Sequence, residues 1–344
     1  MNRRPIVAVD VFCGAGGLTY GLRQVGIKVI RGIDIDVHAK KTYESNNPGA
    51  KFVNKDIKRI TANEITENID RSKTLFLLAG CAPCQPFSMQ NRKQTVRDSR
   101  RSLMSSFARL VDEIVPEYVL VENVPGFMKK SNIYHTEFIK ILKRHKYKYA
   151  EDILNAAEFG VPQKRKRYVI IASKASTISL PVGTYGNNGK AFKTVADAIK
   201  KYPRLKAGGS NRSVPNHVCR SLSLKNLERI ALVPRNGGSR NQLPANLTLD
   251  CHKNHSGHSD VYGRMRWGMP APTLTCKCTS FTNGRFGHPT QNRPISVREA
   301  AALQTFPDSY VFYGDITKIS AHIGNAVPVL LAKKLGLVFK KQNS

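Results

Sequence analysis

The sequence predicts an α/β fold: a mostly parallel sheet with helices on both faces, joined to a smaller irregular or β-rich domain. Three observations predict it. Through the first half, short apolar runs alternate with stretches of helical period. The first run ends at a glycine cluster, Gly14, Gly16 and Gly17, ahead of a helix. Near residue 175 the texture changes, and until about Pro294 the chain is rich in Gly, Asn, Ser, His and Arg.

The elements follow in order. "IVAVDVF" reads as a buried strand, "LTYGLRQVG" as a helix, "KVIRGID" as a strand and "VHAKKTYESN" as a helix. A third short strand precedes "NKDI", and "TLFLLA" is the next. In "RRSLMSSFARLVDEIV", Leu103, Phe107, Leu110, Val111 and Ile114 share one helical face. "EYVLVEN" is a strand, "IYHTEFIKILKRH" a helix and "RYVIIA" a strand. "PVGTYGNNGK" is a linker or long loop. "SVREAAALQTF" and "VPVLLAKKLGLVF" are helical, and the last is expected to return to the sheet of the first domain. This places the first domain at 1–175 and 306–344 and the second, with its hinge, at 176–305.

Composition narrows the function. Lys and Arg number 55 against 24 Asp and Glu, a formal net charge of +31 spread from end to end. Such a surface suits a polyanion, because each phosphate neutralised releases counterions. No apolar run is long enough to span a bilayer and no basic amphipathic helix stands out, so a membrane partner is not expected. Seven scattered cysteines suit reduced thiols in the cytoplasm better than a disulfide framework.

In open α/β sheets ligands bind beyond the carboxyl ends of the strands, so residues there come first. The glycines of "VDVFCGAGG" let a backbone approach a ligand closely. Asp34 and Asp36 follow the second strand about twenty residues later, where an acid can accept ribose hydroxyls. Asp56 follows the third strand, where it could take an adenine amino group. The set suggests an adenosine-containing cofactor, and no phosphate-binding G-x-x-x-x-G-K-[ST] occurs. "GCAPCQPFS" raises a second question, since Cys81 and Cys84 suit a zinc site, a redox pair or a nucleophile. Zinc lacks a well-spaced partner pair: Cys276 and Cys278 are one residue apart, and the Cys251, His252, His255, His258 segment reads better as a polar loop. A redox pair needs a thioredoxin-like layout, which is missing. A nucleophile fits a loop stiffened by Pro83 and Pro86. Glu122 and Asn123 end a nearby strand. Gln163, Arg165 and Arg167 alternate into another, which puts them on one face, with Lys164 and Lys166 on the other.

These residues together resemble the cytosine-C5 DNA methyltransferases of bacterial or phage type. The resemblance runs from about Val7 to Leu335, excluding the variable stretch near 176–270. Its motifs stand in the family's order: "DVFCGAGG", "GIDID", "KDI", "PCQPFS", "ENV", "QKRKR", "RPISVREAAALQTFPDSY" and "IGNAVP". It implies a Rossmann-like catalytic domain that binds S-adenosylmethionine and releases S-adenosylhomocysteine, with no metal. Phe12, Gly14, Gly16, Gly17, Asp34, Ile35, Asp56, Pro83, Leu103 and the Gly324-Asn325 turn would form the cofactor site. Cys84 would be the nucleophile, with Glu122, Arg165 and Arg167 around the target base. Gln163 would hold the loop and the DNA backbone side. Ile35 stands where an aromatic is common, and Asp34 where many members have Glu. Cys81 and Ala82 also replace commoner Gly or Pro.

The segment 176–290 would recognise the target. Arg264, Arg266 and Arg285 could read guanine edges or hold phosphates, and Thr273-Leu274 would support the site of the flipped base. The implied enzyme is a monomeric DNA (cytosine-5-)-methyltransferase of the cytoplasm, held at the nucleoid by duplex DNA. It would be the modification partner of a restriction endonuclease with which it forms no stable complex. The alternatives are an RNA cytosine methyltransferase and a catalytically dead DNA-binding regulator.

Overall fold

The computed structural model describes residues 4–82, 102–128, 132–186, 189–253 and 260–343. The chain divides into two compact units. The first comprises residues 1–159, 166–183 and 327–344, and the second residues 160–165 and 184–326.

The first unit is built on a seven-stranded sheet: β1 (Ile6–Val11), β2 (Lys28–Asp34), β3 (Lys51–Asn54), β4 (Leu75–Gly80), β5 (Tyr118–Asn123), β6 (Lys148–Asn155) and β7 (Lys166–Ser173). Their order is β3-β2-β1-β4-β5-β7-β6. The first five in that order run parallel, and β7 lies antiparallel to β5 and β6. β1 and β5 are buried along their whole length, as strands covered on both faces must be. The reading by apolar runs therefore finds the inner strands. β6 escapes it, because that edge strand is mostly half-buried and carries Lys148, Glu151 and Asp152.

The helices are α1 (Gly17–Arg23), α2 (Lys40–Asn46), α3 (Ala62–Thr66), α4 (Ser102–Ile114) and α5 (Ile133–Arg144) in the first unit. The second unit carries α6 (Val195–Ile199), α7 (Leu224–Leu232), α8 (Asp250–Lys253), α9 (Val297–Leu303) and α10 (Ile316–Asn325). The last, α11 (Val329–Gln342), belongs to the first unit again and packs on α1. That packing is close. A Cβ on Gly21 would lie 2.5 Å from the Ala332 Cβ. Leu331, Leu335 and Phe339 are fully buried on α11, and each such side chain contributes about 1.5–3 kcal/mol.

The second unit is irregular: short helices, turns and isolated bridges, with no longer strand among its described residues. Buried arginines take over part of the work of regular structure. Arg298 bonds the carbonyls of Pro215, Pro307 and Tyr310. Arg293 is bidentate to Glu299 at 2.8 and 2.7 Å. Glu299 also closes the capping box of α9 with Ser296. Burial opposes its charge, but the Arg293 bonds prevail and hold the carboxyl below its ordinary range.

Candidate functional site

The chain runs outward from β1 to β3 and resumes at β4 on the other side of β1, so the switch point of the sheet lies between β1 and β4. Val11 is level with Ile33 of β2 and Gly80 of β4, so those three strands end together. Phe12 and Cys13 both donate backbone N–H bonds to the Ile33 carbonyl, at 2.8 and 3.1 Å. The chain then turns through positive φ at Phe12, Gly14 and Gly16 before α1 starts at Gly17. Phe12 packs partly into the core. A Cβ on Gly14 would meet nothing within 4 Å, so this turn faces open space.

Asp34 closes the arrangement at the end of β2. One carboxylate oxygen accepts the Gly14 N–H at 2.8 Å and the other the Asp36 N–H at 2.8 Å. The acid is thus fixed against the glycine turn. Asn54 donates to the carbonyls of Asp34 and Ile35, at 3.1 and 2.9 Å, a brace that sequence reading missed. The Ile35 side chain is 70% exposed. Asp56 follows β3 and accepts the Lys58 N–H at 3.0 Å. Leu103, on α4, packs against the main core cluster.

Beneath this turn sits Asp10, fully buried in β1. Burial, chiefly, pushes its carboxyl up from 3.8 to about 7; the Thr19 hydroxyl bond, 2.6 Å, opposes the rise and the Asp34 charge adds to it. Between those two values the folded state binds the extra proton, so stability falls as pH rises from about 4 to 7. Asp10→Asn, an uncharged isostere, is therefore expected to raise the unfolding temperature at pH 8 and to leave it nearly unchanged at pH 5. Thermal unfolding at the two pH values checks this; an equal loss at both would refute it. Burial also pushes the Cys13 thiol well up, which leaves it a poor nucleophile.

Pro83 and Cys84 lie outside the described residues, as do His255 and His258. Cys81 is the last thiol before that stretch, and its N–H continues the sheet ladder to the Val11 carbonyl at 3.2 Å. Beside β4, β5 ends in Glu122, 4% exposed, and Asn123. Because β7 is antiparallel, it starts at the edge where β5 ends: Glu122 faces Val169 and Asn123 faces Tyr168. Arg167 then comes back beside Glu122, its Nε 3.0 Å from a carboxylate oxygen.

The expectation that Gln163, Arg165 and Arg167 share one strand face is corrected by the structure. β7 begins only at Lys166, and Gln163 and Arg165 are buried in the second unit. Gln163 accepts the Leu274 N–H at 2.9 Å and donates to Gln304 Oε1 at 2.9 Å. Arg165 donates to the carbonyls of Leu274, Gly324 and Ala326 at 3.0, 3.0 and 3.1 Å. The Thr273 hydroxyl bonds the Lys164 carbonyl at 2.7 Å. Residues 162–165 and 271–274 are thus laced together. Gln304, whose amide reaches the Ile323 carbonyl at 2.7 Å, completes the lacing; only its place in "ALQTF" signalled it.

Gly324 and Asn325, expected as a turn, are the last residues of α10. The glycine is needed for contact: a Cβ there would lie 2.0 Å from the Thr275 carbonyl oxygen. Asn325 is exposed and accepts the Cys276 thiol at 3.0 Å.

Arg264 is another correction. It is fully buried, and its guanidinium bonds the carbonyls of Val233, Ile230, His288 and Gln291 as well as Asn292. These contacts leave no edge for a base. Arg285 is held by Asp260 and the carbonyls of Gly237 and Gly238. Arg266 is exposed. Among the described residues no group of three or more His, Cys, Asp or Glu could hold a metal ion.

The chain is 37% identical to the Type II methylase M.HgiDII of Herpetosiphon aurantiacus, over 97% of this chain and 94% of that protein. It is 33% identical to the Type II methyltransferase M1.HphI of Haemophilus parahaemolyticus, over 98% and 87%. Among solved structures, the Entamoeba histolytica methyltransferase EhMeth matches with a TM-score of 0.66 at 16% identity, covering 99% of each chain. The family model described as C-5 cytosine-specific DNA methylase matches residues 6–341, and the chain belongs to that family.

Proposed function

We propose that this enzyme transfers a methyl group from S-adenosylmethionine to C5 of an extrahelical cytosine in a short duplex DNA site, through a Cys84 adduct at C6. The observation that carries the reading is the set of fixed groups at one end of the sheet: the Asp34 carboxylate tied to the glycine turn, and the Glu122–Arg167 pair at the end of β5.

The cofactor fits the residues present. Asp34 is a carboxylate of the type that accepts ribose hydroxyls, Asp56 can accept from an adenine amino group, and exposed Ile35 offers an apolar cover for a purine. When bound, S-adenosylmethionine supplies an electrophilic methyl on a sulfonium. The Cys84 thiolate adds to C6, which breaks the aromaticity of the ring and makes C5 nucleophilic. Glu122 hydrogen-bonds or protonates N3 as charge builds in the ring. Arg167 holds Glu122 in place and bonds the cytosine O2. After transfer a base removes the C5 proton and the thiolate leaves by elimination. C5 and C6 are inaccessible in a stacked duplex, so the cytosine must leave the stack. Cationic charge grips the phosphates while it does so.

In the second unit, Gln163 and Arg165 act as positioning residues for Thr273-Leu274, and of the three candidate arginines Arg266 is the exposed one that meets DNA. We assign the enzyme to the modification side of a Type II restriction–modification system. A monomer in the cytoplasm, with no stable endonuclease complex, suits that role.

Transfer of labelled methyl from S-adenosylmethionine to mixed genomic duplex DNA and, separately, to total tRNA tests the reading. 5-Methylcytosine in the DNA is the expected result. Label in tRNA alone would assign an RNA substrate, and label in neither would overturn the catalytic reading. Within the site, Glu122→Gln is expected to lower the single-turnover rate by about 10²–10⁴-fold, the usual share of a general acid, with cofactor binding unchanged. A fall below tenfold would remove Glu122 from the chemistry.

A further inference from the structure

Strands β1, β2, β4 and β5 run parallel toward the glycine turn and Glu122, so their first residues lie at the opposite end of the sheet. The antiparallel strands reach that end in the other sense. Ser173, which closes β7, is level with Tyr118 of β5 and with Lys148, the first residue of β6. This end of the first unit carries the exposed cations Arg4, Lys28, Lys146, Lys148, Lys174 and Lys341. Contacts join them into one face. Arg4 bonds the Arg71 carbonyl at 3.2 Å, and its own carbonyl accepts from Asn343, just past α11, at 2.8 Å. Gln342 donates to the Thr177 carbonyl at 2.9 Å, which ties α11 to the segment after β7. In that segment, the Lys174 ammonium stands 5.3 Å from the ring centroid of Tyr147, whose neighbours in sequence are Lys146 and Lys148. On the other side, a Cβ on Gly26 would lie 3.8 Å from Lys340 Nζ, which puts the turn before Lys28 next to α11.

The acids at this end are engaged: Glu67 with Arg31, Asp70 with Lys73, Asp112 with Arg144 and His145, Glu113 with Arg109, and Glu117 with Arg71. Among the described residues, none of the six exposed cations forms an ion pair. Residues 1–3 and 344, which adjoin the face in sequence, lie outside the described residues and include no Asp or Glu. Helix C-termini attract cations, which accounts for Lys341 in the last turn of α11. Lys28, Lys146, Lys148 and Lys174 stand outside helices. Like charges gathered on one folded surface repel, and a polyanion relieves that repulsion while it releases counterions. The six residues of β4 span about 20 Å, so a straight duplex lying across the catalytic end does not reach this face. We propose that the face is a second, sequence-independent contact for duplex DNA, through which one enzyme molecule holds two DNA segments at once. The choice of DNA among polyanions rests on the methyltransferase reading above; the charge surplus does not.

Sedimentation of the intact protein with excess duplex of about one and a half helical turns, at low salt, tests the proposal. Two duplexes per protein molecule are expected at saturation. Lys28→Gln, Lys148→Gln and Lys341→Gln, made together, remove three exposed cations without touching the core. The triple variant should bind the second duplex about tenfold or more weakly. Its affinity for the first duplex and its methyl transfer at saturating DNA should be unchanged. One duplex per protein at saturation, or a second duplex that the folded triple variant holds as tightly, overturns the proposal. Pelleting with phosphatidylserine vesicles by a protein that takes only one duplex would assign the face to a membrane surface and overturn it too. Failure of the catalytic reading shows separately: two duplexes bound, the second weakened in the variant, and neither methylated, would keep this contact and remove the enzyme activity.

Discussion

Cys84→Ser is expected to abolish methyl transfer to background while duplex binding stays intact, and Cys81→Ser is expected to remain active. A cysteine is a few per cent thiolate at neutral pH, whereas a serine hydroxyl needs an adjacent base to act as a nucleophile. Without the adduct at C6, C5 of cytosine keeps its aromatic character and does not attack a sulfonium methyl. Phosphate contacts, which dominate duplex affinity, do not involve the sulfur. Cys81 differs in position: its backbone carries on the ladder between β4 and β1, so a serine there keeps the same backbone bond. Radiometric transfer and a duplex-binding isotherm on both variants settle the assignment. An inactive Cys81→Ser beside an active Cys84→Ser would reverse it.

Arg165→Met is expected to destabilise the second unit by about 2 kcal/mol or more. Arg165 is 1% exposed and serves three carbonyls on two segments, Leu274 on one and Gly324 and Ala326 on the other. The Ala326 carbonyl keeps the Gln304 amide at 3.2 Å, but each of the other two, left without this donor, costs about 1–3 kcal/mol. Methionine keeps most of the volume and none of the bonds, so the loss isolates hydrogen bonding from packing. Arg165→Lys should recover only part, because one ammonium cannot reproduce a rigid fork. Denaturant unfolding followed at Trp267, the single tryptophan, which lies in the second unit, reads the effect. An unchanged transition with lost activity would instead point to a direct role at the substrate.

The parts of this protein legible in its sequence share one physical property: their side chains decide their structure alone. The runs of β1, β4 and β5 are apolar enough to be buried whatever surrounds them, and β2 is buried at Val29, Gly32 and Ile33. The glycine turn, Asp34 and Glu122 are placed by the ends of those runs. Arg165 was misread because period-two spacing assumes that the strand has already started, and it starts one residue later. Arg264 was misread because an arginine in a polar, glycine-rich segment looks solvent-facing. Its burial depends on carbonyls from residues 230, 233, 288 and 291, which no local pattern foretells. Gly324 likewise looked like a turn because the carbonyl that excludes its Cβ lies at Thr275.

The six residues Gly160–Arg165 belong to the second unit although the rest of it begins at Thr184. A chimera that transplants the second unit as one continuous block from residue 184 onward would leave Gln163 and Arg165 behind. It would ask the donor's Leu274 region to dock on the recipient's version of that hexapeptide. Successful exchange between related enzymes should therefore require the hexapeptide to travel alongside the main block, and grafts of the main block alone should lose solubility.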